Sequence, residues 1–318
     1  MRLLGKRAEG ARALFASDIH GSLTVFKKLL NAALMYKAQY VIIGGDISGK
    51  ALVPIVDLGD GAYEAEGKVL RAGDLTRYIG ELKARGEYYV VVSKGDYEEL
   101  IADKRKVEEA FNRALVEMVA EWDSIALEKL KGAGIRVMAS LGNDDPPFLA
   151  EALRGTEALE YVEGSVVEVA GREMLSYGFT NPTPWHTPRE KSEEEIYSDL
   201  RALADKLARP DQAIFNIHAP PYGTNLDNAP QLTEDLRPII RGGEVVTFHA
   251  GSKSVRRIIE EVQPLLGLHG HIHESRGYDK IGRTLVLNPG SEYGAGLLHA
   301  ALVVLGDKGV DGYQLIIG

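Results

Sequence analysis

Five short apolar runs in this chain each stop at an aspartate, asparagine or histidine, and that repetition limits what it can fold into. "ALFASD" (13–18) runs into Asp18 and His20, and "QYVIIGGD" (39–46) into Asp46. "IRVMAS" (135–140) leads to Asn143, Asp144 and Asp145, "QAIFNIH" ends in His218, and "PLLGL" precedes His271 and His273. Between the first two runs, "LTVFKKLLNAALMYK" (23–37) places Leu23, Phe26, Leu29, Leu30, Ala33 and Leu34 at helical spacing. Strand, helix, strand in that order predicts a βαβ unit with parallel strands. Such sheets gather function at the carboxyl ends of their strands. One polar residue after a strand is ordinarily a turn former or a cap, but five strand ends supplying ligand-type side chains call for a common explanation.

The last of these stretches, "LHGHIHES", holds His269, His271 and His273 at every second position. On an extended backbone, side chains two apart share a face. The spacing fits a polar sheet face, a run in a loop, or metal ligands, since imidazole is the commonest protein metal ligand.

Composition removes several functional classes. The chain has 318 residues, enough for one large α/β domain or two smaller ones. It has no cysteine, so thiolate metal sites, disulfides and cysteine nucleophiles are excluded. A net charge of −9 argues against long nucleic acids and anionic membranes as partners, while small nucleotides stay open. No apolar run approaches the ~18 residues of a membrane span. "MRLLGKRAEGARALFAS" is broken by Lys6, Arg7, Glu9 and Arg12 and does not read as a signal peptide, which makes a cytoplasmic location the expectation.

Residues 50–134 read as an excursion from the main pattern. "ALVPIVDL" and "EYYVVVS" suggest a small β element, followed by a charged helical region with Val107, Phe111, Leu115, Met118, Val119 and Trp122 on one stripe. A packed scaffold helix, a substrate cap and an oligomer contact all suit this region. Further on, "VVEVAGREMLSYGF" reads as a hairpin turning at Ala170–Gly171, and Ser192 with Glu195 as a capping box opening a helix.

Taken together, "SDIHGS" (17–22), "GGDISG" (44–49), "LGNDD" (141–145), "NIHAPP" (216–221) and "HGHIH" (269–273) resemble the signature of the calcineurin-like metallophosphoesterases, in order and in strand context. That resemblance implies an αββα sandwich of two mixed sheets with helices outside, a single domain over 1–318 with 50–134 inserted. It implies two divalent metal ions: Asp18, His20 and His273 on the first, Asn143, His218 and His271 on the second, and Asp46 bridging. It also implies phosphoester hydrolysis by a water or hydroxide shared between the metals. A shell of N and O donors suits Mn, Fe, Zn, Co or Ni, with Mn favoured. His269 matches no ligand position and is expected to be structural.

One departure bears on activity. Where the family carries a histidine after the asparagine, this chain has Asp144, a poor acid and repulsive to an anionic phosphate. This favours a phosphodiesterase over a phosphomonoesterase or protein phosphatase; a catalytically silent scaffold is the alternative from another class. His249, His186 and Asp145 are candidates to replace the histidine. His186, Arg189 and Tyr222 are candidates to bind a small nucleotide-like phosphoester, and Arg189 or Lys253 to offset the charge of a monoester. A homo-oligomer is compatible with all of this.

Overall fold

The computed structural model describes residues 10–233 and 235–318; Met1 to Glu9, part of the stretch read as lacking a signal peptide, lie outside them. Two six-stranded mixed sheets form the centre. In the first, the strands Ala11–Ala16, Tyr40–Gly44, Arg136–Ser140 and Leu159–Tyr161 run parallel, and His299–Gly306 and Gly309–Ile317 complete one edge antiparallel. In the second, Arg172–Tyr177, Ile214–Ile217, Leu266–Leu268 and Thr284–Asn288 run parallel, with Val166–Val169 and Gly277–Ile281 antiparallel at its edges.

Alternation along each strand builds the layers, because successive side chains point to opposite faces. Ala13 and Phe15 join Ile42, Met138, Met174, Ile214, Leu266, Leu285 and Leu287 in a core between the sheets. Leu14 and Ala16 face outward instead, under the helices Leu23–Tyr36 and Lys104–Lys129. Phe215, Ile217 and Leu175 likewise meet the helices Glu193–Ala204 and Lys253–Val262 on the far side. The result is the expected four-layer αββα sandwich. Both local devices read from sequence are present: the hairpin pairs Arg172 with Val169, and Ser192 with Glu195 forms a capping box.

The excursion has two parts of different character. The strands Ala51–Gly59, Ala62–Ala65, Lys68–Arg71 and Glu87–Ser93 form a separate four-stranded sheet with helix Ala72–Arg85 on a small core of Val53, Ile55, Ala65, Tyr78 and Leu82. The helical stretch that follows is broken at Asp103, whose side chain caps a new helix, Lys104–Lys129. That second helix belongs to the main core, with the Trp122 ring stacked on Phe26 at 4.2 Å between centroids. Among the described residues, no helix is long and apolar enough to cross a membrane.

Candidate metal centre

The site sits where the central parallel strands of both sheets end. Asp18 and His20 follow Ala11–Ala16, Asp46 follows Tyr40–Gly44, and Asn143 follows Arg136–Ser140, three neighbouring strands of one sheet. His218 follows Ile214–Ile217, and His271 and His273 follow Leu266–Leu268, neighbours in the other. Each chain segment must turn sharply at once to present a side chain inward. Asp18, His20, Asp46 and His271 all take left-handed backbone, with φ of 57°, 45°, 48° and 68°. Non-glycine residues held there cost roughly 1–3 kcal/mol each and persist where surrounding structure enforces them, as at functional sites. Left-handed His271 also corrects one reading: the alternating histidines lie beyond the strand, in a loop, and share no sheet face.

The loops hold one another in place. The Asp18 N–H donates to Gly45 O at 3.0 Å and the His20 N–H to Asp46 O at 2.9 Å. The His271 N–H donates to both Asp18 carboxylate oxygens (3.1 and 3.0 Å), and the Asp144 N–H to Asp46 Oδ1 at 2.9 Å. Two glycines permit this closeness. A Cβ on Gly142 would collide with the Asp46 carboxylate, and one on Gly270 with Asp18 Oδ2 and Ser17 Oγ.

Two groups of three side chains converge, Asp18 with His20 and His273, and Asp46 with His218 and His271; within each, the candidate ligand atoms lie within 4.8 Å of one another. His20 Nε2 and His273 Nε2 face each other at 3.2 Å, and His273 Nε2 lies 3.3 Å from Asp18 Oδ1. His218 Nε2 is 3.1 Å from Asn143 Oδ1, 3.4 Å from Asp46 Oδ2 and 3.9 Å from Asp18 Oδ1. Asp46 Oδ2 is also 3.7 Å from His20 Nε2, so it stands between the groups, where a bridging carboxylate belongs.

The donor chemistry fits two divalent ions. His20 Nδ1 lies 3.1 Å from Ser48 O and His218 Nδ1 2.9 Å from Gly44 O, contacts that require the hydrogen on Nδ1 and aim Nε2 into the site. Asn143 gives its amide N–H to Thr187 Oγ1 at 3.0 Å, which leaves Oδ1 turned toward His218. Such outer contacts fix tautomer and orientation at metal sites.

Charges are strongly coupled. Burial pushes His20 and His271 down to about 4, in His271 with help from the His218 charge, so both rings are neutral. Burial works against the charged forms of Asp18 and Asp46, but His218, joined by His273 at Asp18 and by His20 and the Asp144 N–H at Asp46, holds both carboxyls below their usual range. Reciprocally, Asp46 and Asp18 overcome burial and raise His218 to about 10. Without metal, therefore, a proton on His218 offsets part of the buried negative charge. A metal ion held through His218 Nε2 would supply that positive charge in place of the proton.

No family model matches the chain. The uncharacterized protein MJ1162 of Methanocaldococcus jannaschii is 38% identical over 158 residues, 49% of this chain and 64% of that protein, so the match spans less than two thirds of its length. Among solved structures, TT1561 of Thermus thermophilus aligns with TM-score 0.51 at 15% identity, over 97% of this chain and 98% of that one. A dimetal phosphatase from Danio rerio aligns at TM-score 0.45 and 12% identity, over 96% and 98%. At these identities the structural likenesses concern the fold alone.

The chain shares the fold of TT1561.

Within that fold, the remaining sequence candidates separate by position. Asp144 is at the site: it groups with His20 and Asp46, and its carboxylate reaches Lys50 Nζ at 2.5 Å. Asp145 is fully buried and accepts hydrogen bonds from Ile47 N–H, Ser48 N–H, Ser48 Oγ and Gly142 N–H. It ties two ligand loops together and is turned away from any substrate, which removes it as the replacement acid. Burial and the Asp46 charge raise it to about 6.

Arg189 is a correction. Its guanidinium is buried, paired with Glu163 and bonded to Gly142 O, so its charge is already committed and closed to a substrate. His186 is exposed on the same loop, one residue before Thr187, which touches Asn143. His249 belongs to neither ligand group; its Nδ1 lies 2.8 Å from Oδ1 of the buried Asp227, its ring 5.7 Å from Tyr222. Lys253, weighed as a counter-charge, lies over the Tyr222 ring at 5.4 Å. His269 is buried with Nδ1 between Ile217 O and Ala219 O (2.8 and 3.0 Å), bracing the backbone on both sides of His218.

Two residues at the site escaped the sequence reading. Lys50 closes the stretch "GGDISGK", four residues after Asp46, and only the fold brings it to Asp144. Tyr293, in "NPGSEYGAG", packs its ring 4.6 Å from His20 and 6.0 Å from His273.

Proposed function

We propose that this chain is a metal-dependent phosphoester hydrolase acting on a phosphodiester, with manganese the favoured metal and a small nucleotide-like molecule the substrate. One observation carries the reading: Asp18–His20–His273 and Asp46–His218–His271 form two adjacent ligand groups, with Asp46 between them and Asn143 on His218. Two divalent ions held there would supply Lewis acidity and an acidified water. The protein's own part is positional. Asp18 and Asp46 are aimed by backbone N–H groups of neighbouring ligand loops, and the His20 and His218 tautomers are fixed by carbonyls. Asp144 supports the diester, since its carboxylate cancels the Lys50 charge and leaves no spare cation there for the second charge of a dianionic monoester. The negative net charge supports small substrates over long nucleic acids.

The test is hydrolysis of bis-p-nitrophenyl phosphate and p-nitrophenyl phosphate by Mn²⁺-loaded protein. Faster turnover of the diester, lost after chelation and restored by Mn²⁺, is the expected result. Bound metal with neither ester cleaved would favour the scaffold reading instead.

A further inference from the structure

The family position that ordinarily carries a histidine holds an ion pair in this chain. Asp144 Oδ2 and Lys50 Nζ are 2.5 Å apart, and the Asp144 N–H is anchored on Asp46 Oδ1. Asp144 is part-buried and Lys50 about half exposed, so the pair sits at the mouth of the site with its ammonium reachable from solvent. Other cations near the loops are engaged elsewhere: Arg189 with Glu163, Lys191 with Asp199 and Arg256 with Glu260.

From this arrangement, and resting on the hydrolase reading above, we infer that Lys50 and Asp144 act together as the specificity determinant for phosphate charge. Lys50 offers its ammonium to a non-bridging phosphoryl oxygen, and Asp144 cancels the surplus positive charge that would otherwise welcome a dianion. As a neutral pair they leave the field of the site to the metals and the Asp18 and Asp46 carboxylates. A monoanionic diester is then accommodated, whereas a monoester brings an extra negative charge that the pair does not offset. Ion pairs of this kind set selectivity through the charge they leave uncompensated, more than through their own attraction.

A double-mutant cycle that removes each charge in turn tests this. Asp144→Asn frees the lysine and should raise the monoester-to-diester ratio of kcat/KM by about tenfold, the size expected for one charge in a partly screened site. Lys50→Met leaves Asp144 uncompensated and should lower turnover of both esters, the monoester more. The double variant restores neutrality and should return the ratio to within about threefold of wild type, with lower absolute rates. An independent readout is calorimetric binding of inorganic phosphate to the Mn²⁺-loaded protein: tighter in Asp144→Asn, weaker in Lys50→Met, near wild type in the double variant. Active variants whose ratio and phosphate affinity do not move would overturn the charge inference and leave the hydrolase reading intact. Wild type that holds no Mn²⁺ and cleaves neither ester would overturn both.

Discussion

The candidate metal centre and the inserted sheet of residues 51–93 lie side by side and are built on opposite principles. At the centre, polar groups are buried and backbone is held left-handed at four candidate ligands, so local stability is given up for geometry. The inserted sheet has a compact apolar core and side chains such as Val69 and Val91 in the open, with neither buried carboxylates nor clustered histidines. They meet at one seam, where the Tyr88 hydroxyl accepts the Gly49 N–H at 2.7 Å and Ser22 Oγ donates to Ala84 O at 2.5 Å. A chain can therefore hold a strained site rigid by bracing it from a neighbour whose stability comes from ordinary packing.

The sharpest way to separate the regions is Asp46→Asn. Removing the carboxylate between the two ligand groups should cost at least ~10²-fold in turnover, comparable to deleting one key electrostatic group in other enzymes, together with metal content. Circular dichroism should show the fold retained.

Truncating the packing instead should reverse the pattern. Trp122→Ala removes a fully buried indole stacked on Phe26 and should cost roughly 3–5 kcal/mol in urea denaturation. Ile55→Ala, in the insert's own core, should cost about 2–5 kcal/mol. If the brace matters, Ile55→Ala should also loosen metal retention, though no ligand has changed.

A pH effect follows from His218. Its folded pKa of about 10 lies above its ordinary value of 6.5, so the proton favours the folded metal-free chain. That contribution is fully present below about pH 6.5 and is lost as pH rises through about 10. Chelated protein should therefore show a urea midpoint that falls across this window. Metal-loaded protein should lack the His218 part of the fall, because a ligating imidazole is already neutral. Equal slopes for both forms would break the assignment of His218 to the metal. Smallest of all, Val69→Lys on the exposed face of the insert should stay within about 0.5 kcal/mol of wild type.

Much of the centre was legible because its residues follow strands, where periodic apolar runs mark the ends in the sequence itself. Asp18, Asp46, Asn143 and His218 could be placed from that punctuation alone. For the histidine stretch a sheet face and a loop both stayed open, since nothing in "LHGHIHES" announces that His271 turns left-handed. Arg189 failed for a different reason: its partner Glu163 is distant in sequence, and burial of an ion pair leaves no local mark. Lys50 was missed on the same ground, its meeting with Asp144 being a product of the tertiary fold. The insert was recognised as an excursion; its helix Lys104–Lys129 joins the main core through its apolar stripe, while the break at Asp103 lay inside one continuous charged stretch.

The most direct test of the account is metal stoichiometry by plasma mass spectrometry after Mn²⁺ loading and desalting, on wild type and on His271→Ala. The account predicts about two ions per wild-type chain, as a dinuclear site requires, and a clear loss in the variant. A wild-type chain that retains no metal, or a variant that retains as much as wild type, would contradict it.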